Sequence, residues 1–139
     1  MDIKQKCIIA VDPGREKCGV AVLALDKAML FHKTVTTKSL PAVLQKLERV
    51  YAVQTFVIGS GTTSKDKKKL IEETFPTIQL AVIDEYRTTD AARKRYWQEN
   101  PPKGIKKFLP LGMLVPPVPV DDFAAVIIGE RYLDAGKDK

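Results

Sequence analysis

Ile8-Ile9-Ala10-Val11-Asp12-Pro13-Gly14, followed by Cys18-Gly19-Val20-Ala21-Val22-Leu23, is the stretch whose reading decides the fold. An apolar run of strand length ends on a carboxylate, turns at Pro-Gly and returns as a second apolar run. Burying an ionised Asp is costly unless a cation or several donors compensate it. Asp12 is thus either a turn residue that satisfies nearby backbone N–H groups, or a ligand for a metal or a phosphate-bound metal.

Outward from this hairpin the chain alternates. Residues 6–12, 18–25 and 28–36 read as three strands, with Asp26-Lys27 as a two-residue turn between the second and third. Ser39 fits an N-cap and Pro41 a first helical turn, and Leu40, Val43, Leu44, Leu47 and Tyr51 recur at helical spacing. Thr55 to Gly59 is a short buried strand. After the turn Ser60-Gly61-Thr62-Thr63-Ser64, the residues Leu70, Ile71 and Phe75 mark a second helix. Ile78 to Ile83 is a fifth strand that ends on Asp84-Glu85. Thr88 or Thr89 can cap a third helix carrying Ala91, Ala92, Tyr96 and Trp97.

Six of the nine prolines lie between Pro101 and Pro119, so residues 100–120 form a long stiffened connection, with room for one helical turn at Ile105 to Leu109. Asp121-Asp122 then cap a last helix with Phe123, Ala124, Ala125, Ile127, Ile128 and Leu133, apolar on most sides and expected to be buried.

The 139 residues suffice for a single domain, residues 1–139, and the composition, 45% hydrophobic and 29% charged, is that of a globular protein. No apolar run is long enough to span a bilayer, and Met1 to Lys6 lead directly into a strand, so a cytoplasmic protein with no membrane partner is expected. Cys7 and Cys18 have no metal-type spacing and read as small apolar residues kept reduced.

The implied fold class is α/β: a mixed five-stranded sheet in the order 3-2-1-4-5, strand 2 antiparallel, with helices on both faces. Right-handed crossovers leave the carboxyl ends of the first, fourth and fifth strands on one edge. Asp12, Gly59 and Glu85 then share that edge, and the helix start at Asp121-Asp122 can be brought to it. Basic residues outnumber acidic ones by 23 to 17, a net +6. Two clusters stand out among them, Lys65 to Lys69 and Arg87, Arg93, Lys94, Arg95, Lys103, Lys106 and Lys107. Each cluster is either a solvated helix face or a track for phosphates.

Three blocks carry a family resemblance: Val11-Asp12-Pro13-Gly14 with Gly19 to Val22; Val82-Ile83-Asp84-Glu85 with Thr88-Thr89 and Ala91-Ala92; and Val120 to Ile128 with Arg131-Tyr132-Leu133. In this order they resemble the YqgF (RuvX) family, RuvC-like nucleases of the RNase H-like superfamily. The resemblance implies an RNase H-like domain and an acidic triad of Asp12, Glu85 and Asp121 that binds divalent metal, Mg²⁺ or Mn²⁺. Asp122, one place later, is a second candidate ligand, and Asp84 reads as a structural cap because its side chain should face away. After the fourth strand the chain departs from the family's Gly-Leu-Pro-like turn, and the proline-rich loop before Asp121 is longer than the family's.

Oxygen-only ligands favour hard cations over zinc, and paired ions held by carboxylates suit in-line hydrolysis of a phosphodiester. The expected partner is structured nucleic acid, contacted by Gly14, Arg15 and Lys17 at the first turn, by Lys65 and Lys67, and by Arg87, Arg93, Arg95, Lys106 and Lys107. His32, the sole histidine, lies on the edge hairpin and reads as non-catalytic. Tyr96 and Trp97 read as core before base-stacking groups. The leading function is endonucleolytic, 5′-end processing of precursor 16S rRNA as the resemblance implies. The alternatives are resolution of four-way DNA (Holliday) junctions and a non-catalytic nucleic-acid-binding module, in a monomer or homodimer. An actin-like kinase uses a similar Asp-Gly hairpin but needs two such domains.

Overall fold

The computed structural model describes residues 4–61, 64–84, 88–101 and 120–137. Strands β1 (Lys6–Asp12), β2 (Lys17–Ala24), β3 (Met29–Thr36), β4 (Ala52–Gly59) and β5 (Gln79–Ile83) form one sheet in the order β3-β2-β1-β4-β5. The helices are α1 (Leu40–Val50), α2 (Ser64–Thr74), α3 (Thr88–Glu99) and α4 (Asp121–Lys137). β1 pairs antiparallel with β2 and parallel with β4, β2 pairs antiparallel with β3, and β5 is parallel to β4. This is the α/β class and the strand order that the alternation of elements implies.

β1 is the central strand and is buried on both faces, which is why it reads as an unbroken apolar run. Its pleat divides the core. Cys7, Ile9 and Val11 pack with Leu40, Leu44 and Leu47 of α1, Ile71 of α2, and Phe56 and Ile58 of β4. Ile8 and Ala10 face the other way, against Ala125, Val126 and Ile128 of α4. The third helix does not reach the sheet core: Ala92 packs on Phe123 and Ala124, so α3 lies against α4. Both cysteines are free and buried, and burial pushes the Cys7 thiol up to about 11.

Several local expectations are corrected. The hairpin between β2 and β3 turns on three residues, Leu25 to Lys27, closed by the Ala24–Ala28 hydrogen bond, and not on two. Lys27 N–H donates to the Ala24 carbonyl and Ala24 N–H to the Ala28 carbonyl, both at 2.9 Å. Lys27 takes the left-handed conformation at φ 75° that closes a type I turn with a bulge. Asp26 stabilises this loop, since its Oδ1 accepts the Ala28 N–H at 3.0 Å. Ser39 makes no side-chain cap to α1; Thr36 caps the preceding 3-10 turn instead, accepting the Ser39 N–H at 3.3 Å. β4 begins three residues before Thr55, at Ala52, because parallel pairing with β1 extends it past the exposed Gln54. At α4 the first helical bond runs from Ala124 N–H to the Val120 carbonyl, so Asp121 and Asp122 occupy the first turn and not the cap. Acidic residues there favour the positive end of the helix dipole. The position before Thr88 and the turn expected at Ile105 to Leu109 lie outside the described residues.

Two glycines allow α4 to lie close to the sheet. A Cβ at Gly129 would meet Leu23 Cδ1 at 2.6 Å and Ala10 Cβ at 3.2 Å. A Cβ at Gly19 would collide with the Asp121 carbonyl group and stand 2.9 Å from the Asp122 nitrogen. The obstacle at Gly19 is backbone, which cannot rotate aside. Gly19→Ala is therefore expected to lose about 1–3 kcal/mol of stability, read as a lowered urea midpoint with unchanged slope. A midpoint equal to that of the unsubstituted protein would show that α4 is not seated there.

Candidate functional site

The site forms where the first turn of α4 meets the carboxyl end of β1. Asp12 ends β1, partly buried, and its antiparallel partner is Gly19. Directly opposed residues in an antiparallel pair present their side chains on the same face. Because Gly19 has none, the space beside Asp12 is filled by the Asp121 carbonyl group. Two carboxylate-bearing residues far apart in sequence thus flank one bare backbone position. The turn after Asp12 is held from the sheet edge: Thr37 Oγ1–H donates to the Gly14 carbonyl at 3.2 Å, and Thr37 N–H to the Glu16 carbonyl at 2.8 Å. Cys18 Sγ lies 3.9 Å from the same Gly14 oxygen. Thr37 was not anticipated, because nothing in its local sequence says which turn it will meet.

The parallel register levels the neighbouring strand ends. Val11 pairs with Ile58, Gly59 pairs with Ile83, and Ser60 N–H donates to the Ile83 carbonyl at 3.0 Å. The shared edge of the first, fourth and fifth strands is therefore present. Ile83 packs on the α4 side of the sheet. The exposed Asp84 offers its carbonyl to Arg131 Nη1 at 3.0 Å, which ties α4 to the end of β5. Glu85 lies outside the described residues, as do Arg87, Lys106 and Lys107. Among the described residues, no three His, Cys, Asp or Glu side chains group as a metal site.

Asp121 and Asp122 differ in environment. The Asp121 carboxyl is raised above its ordinary value, chiefly by burial and then by the like charge of Asp122, with Lys17 opposing. Asp122 turns toward β3: its Oδ2 lies 2.8 Å from His32 Nδ1, and its Oδ1 accepts the Phe123 N–H at 3.0 Å. The His32 and Phe123 rings lie 5.0 Å apart. The Asp121 backbone thus seats on Gly19, the partner of Asp12, and the Asp122 side chain is engaged with the edge strand.

Among the described residues, the expected cations differ in exposure and in partners. Arg15 and Lys17 are exposed at the first turn, and Gly14 is partly buried there. Lys65 is exposed on α2, but Lys67 is only 8% exposed and shares the sheet-facing side with Ile71. Arg93 is exposed on α3. Arg95 instead bridges α3 to α4, its Nη1 donating to Glu130 at 2.9 and 3.0 Å and its Nε to Glu99 at 3.3 Å. Tyr96 packs edge-on against Phe123 at 6.0 Å and against Trp97 at 5.0 Å, as the core reading of Tyr96 holds. No helix among the described residues is long and apolar enough to cross a membrane.

No protein-family model and no curated protein matches the chain. Among solved structures it is similar to a transcriptional regulator of the ROK family, a homolog of the E. coli MLC protein, with 12% identity and a TM-score of 0.47 over 66% of this chain and 31% of that one. It is also similar to a "putative sugar kinase" from Cytophaga hutchinsonii, with 12% identity and a TM-score of 0.46 over 65% of this chain and 39% of that one. The chain thus spans between three and four tenths of the length of these structures.

The raised Asp121 carboxyl has a defined consequence for stability. A group whose folded pKa exceeds its unfolded one favours folding when protonated, and that contribution is lost as pH rises through the folded value. At neutral pH without divalent ions, Asp121→Asn should therefore raise Tm by a few degrees. The gain should vanish near pH ~3, where the carboxyl is protonated in both states. Thermal unfolding at the two pH values checks this, and a lower Tm for the variant at neutral pH would contradict it.

Proposed function

We propose that this chain is a divalent-metal-dependent endonuclease of RNase H-like type, acting in the cytoplasm on structured nucleic acid, with 5′-end processing of precursor 16S rRNA as its reaction. The observation that supports this reading is the seating of the first turn of α4 on Gly19, the partner of Asp12, at the edge where β5 also ends, two positions before Glu85 in sequence. The resemblance of the three sequence blocks to the YqgF family supports the same reading.

The donor set suits a hard divalent cation. Asp12 and Asp121 offer only carboxylate oxygens, and Asp121 is partly desolvated beside a second carboxylate. A cation there would relieve a repulsion that the fold otherwise bears. Asp12, Glu85 and Asp121 would hold Mg²⁺ or Mn²⁺, with Asp122 next to them. Such ions supply an activated water and neutralise the leaving oxygen in phosphodiester hydrolysis. The chain's own contribution is placement. β1 fixes Asp12 through a strand buried on both faces, Thr37 holds the turn behind it, and α4 seats the Asp121 backbone on its partner Gly19. Arg15, Lys17, Lys65 and Arg93 are exposed and available to phosphates, in a monomer or a homodimer.

The test is cleavage of a precursor rRNA leader and of a four-way DNA junction with Mg²⁺ or Mn²⁺. The unsubstituted protein should cleave the leader, and Asp12→Asn should be slower by about a hundredfold or more. Mg²⁺ should raise the Tm of the unsubstituted protein but not of Asp12→Asn. Cleavage of neither substrate, or equal cleavage by the variant, would end this reading, and cleavage of the junction alone would move the substrate to DNA. The cations separate in a second assay. Arg93→Ala should lower the dependence of log affinity on log salt by about one, whereas Arg95→Ala should lower Tm by breaking the bridge to Glu130 and leave the salt slope unchanged.

A further inference from the structure

His32 stands on β3 opposite Ala21, two residues from Thr34, whose partner is Gly19. Gly19 in turn pairs with Asp12. Ala21 packs on the α4 side of the sheet, so His32 rises on that face one pleat from the row that carries Asp12. Its Nδ1 meets Asp122 Oδ2 at 2.8 Å, with the histidine side chain 38% exposed and the aspartate 16%. An ionised carboxylate only accepts, so Nδ1 carries the hydrogen and donates it. The ring also lies 5.0 Å from that of Phe123, so His32 touches two consecutive residues of the first turn of α4.

We infer that His32 is a positioning residue for the carboxylate site: by holding Asp122 toward β3 it fixes the rotation of the first turn of α4 and leaves Asp121 beside Asp12. The inference rests on the divalent-metal reading proposed above. Consecutive helical residues point about 100° apart, so the first turn can present one of the two aspartates to Asp12 but not both. The far end of α4 is tied to the same hairpin by Lys27 Nζ to Asp134 Oδ1 at 2.8 Å, an exposed pair that fixes rotation weakly. Without the His32 N–H, Asp122 is a poorly solvated carboxylate next to Asp121, and its repulsion turns the helix start away from the geometry that a cation needs. The hydrogen bond thus separates the two like charges as well as anchoring the helix.

The experiment measures Mn²⁺ affinity of the full chain by calorimetry, together with Tm. His32→Leu should weaken Mn²⁺ binding roughly tenfold, as loss of a group that orients metal ligands does. His32→Asn, whose amide N–H replaces Nδ1–H, should stay within about twofold of the unsubstituted protein. Equal affinity in His32→Leu, or equal weakening in both variants, would overturn the inference alone. Failure of the unsubstituted protein to bind Mn²⁺ would overturn the metal reading and this one with it. A second measurement does not need a variant of His32. Because the chain has one histidine, its ¹⁵N signals are unambiguous. Mg²⁺ should shift those signals in the unsubstituted protein and not in Asp121→Asn. Unmoved histidine signals while calorimetry shows binding would overturn the role of His32 even if His32→Leu does not fold.

Discussion

The seat of the first turn of α4 on the bare backbone of Gly19 is the contact on which the site depends. It requires three things at once: a residue without a side chain on β2, a partner position on β1 that carries a carboxylate, and a helix whose inner face is small or apolar enough to follow the sheet. Ala125, Val126, Ile128 and Gly129 meet the last requirement, and Gly19 and Asp12 the first two. Because the obstacle to a larger residue at Gly19 is peptide backbone, the approach of α4 is fixed more tightly than side-chain packing alone would fix it.

Electrostatics oppose this arrangement, and their direction is informative. Burial and Asp122 both raise the Asp121 carboxyl above its ordinary value, and Lys17 opposes them. A fold selected for stability alone would place an apolar or amide residue there. The cation proposed for this site would complete the charge balance. Two charges elsewhere are paired within the fold: Arg95 bridges two helices through Glu130, and Lys27 joins the β2–β3 hairpin to Asp134.

Much of the fold was legible because hydrophobic period and chain order are local properties. Among the described residues, the five strands, the four α-helices and the sheet order follow from runs such as Ile8 to Val11 and from helical spacings such as Leu40, Leu44 and Leu47. The errors are at ends and caps, where one hydrogen bond decides. Asp26 bonds to the Ala28 N–H and converts an apparent two-residue turn to a bulged loop of three. Thr36, not Ser39, closes the turn ahead of α1. Among the cations, Lys67 carried a readable signal, since it precedes the core residue Ile71 by four positions on one helix face. Arg95 carried none, because Glu130 lies on another helix.

The sequence by itself determined that Asp12 ends a buried strand, that an acidic pair opens the last helix, and that both belong to an α/β chain whose parallel strands end on one edge. These follow from composition and periodicity, which neighbouring residues impose on one another. Only the tertiary structure decided that the Asp122 side chain meets His32 at the far edge of the sheet while the Asp121 carbonyl group seats on Gly19, because both depend on how α4 lies over β2. It also decided that Arg95 is a bridge between helices and that Thr37 holds the turn behind Asp12. The physical reason is the same in each case: the deciding partner is distant in sequence, and a hydrogen bond or a close backbone approach is specified only when both elements have been placed.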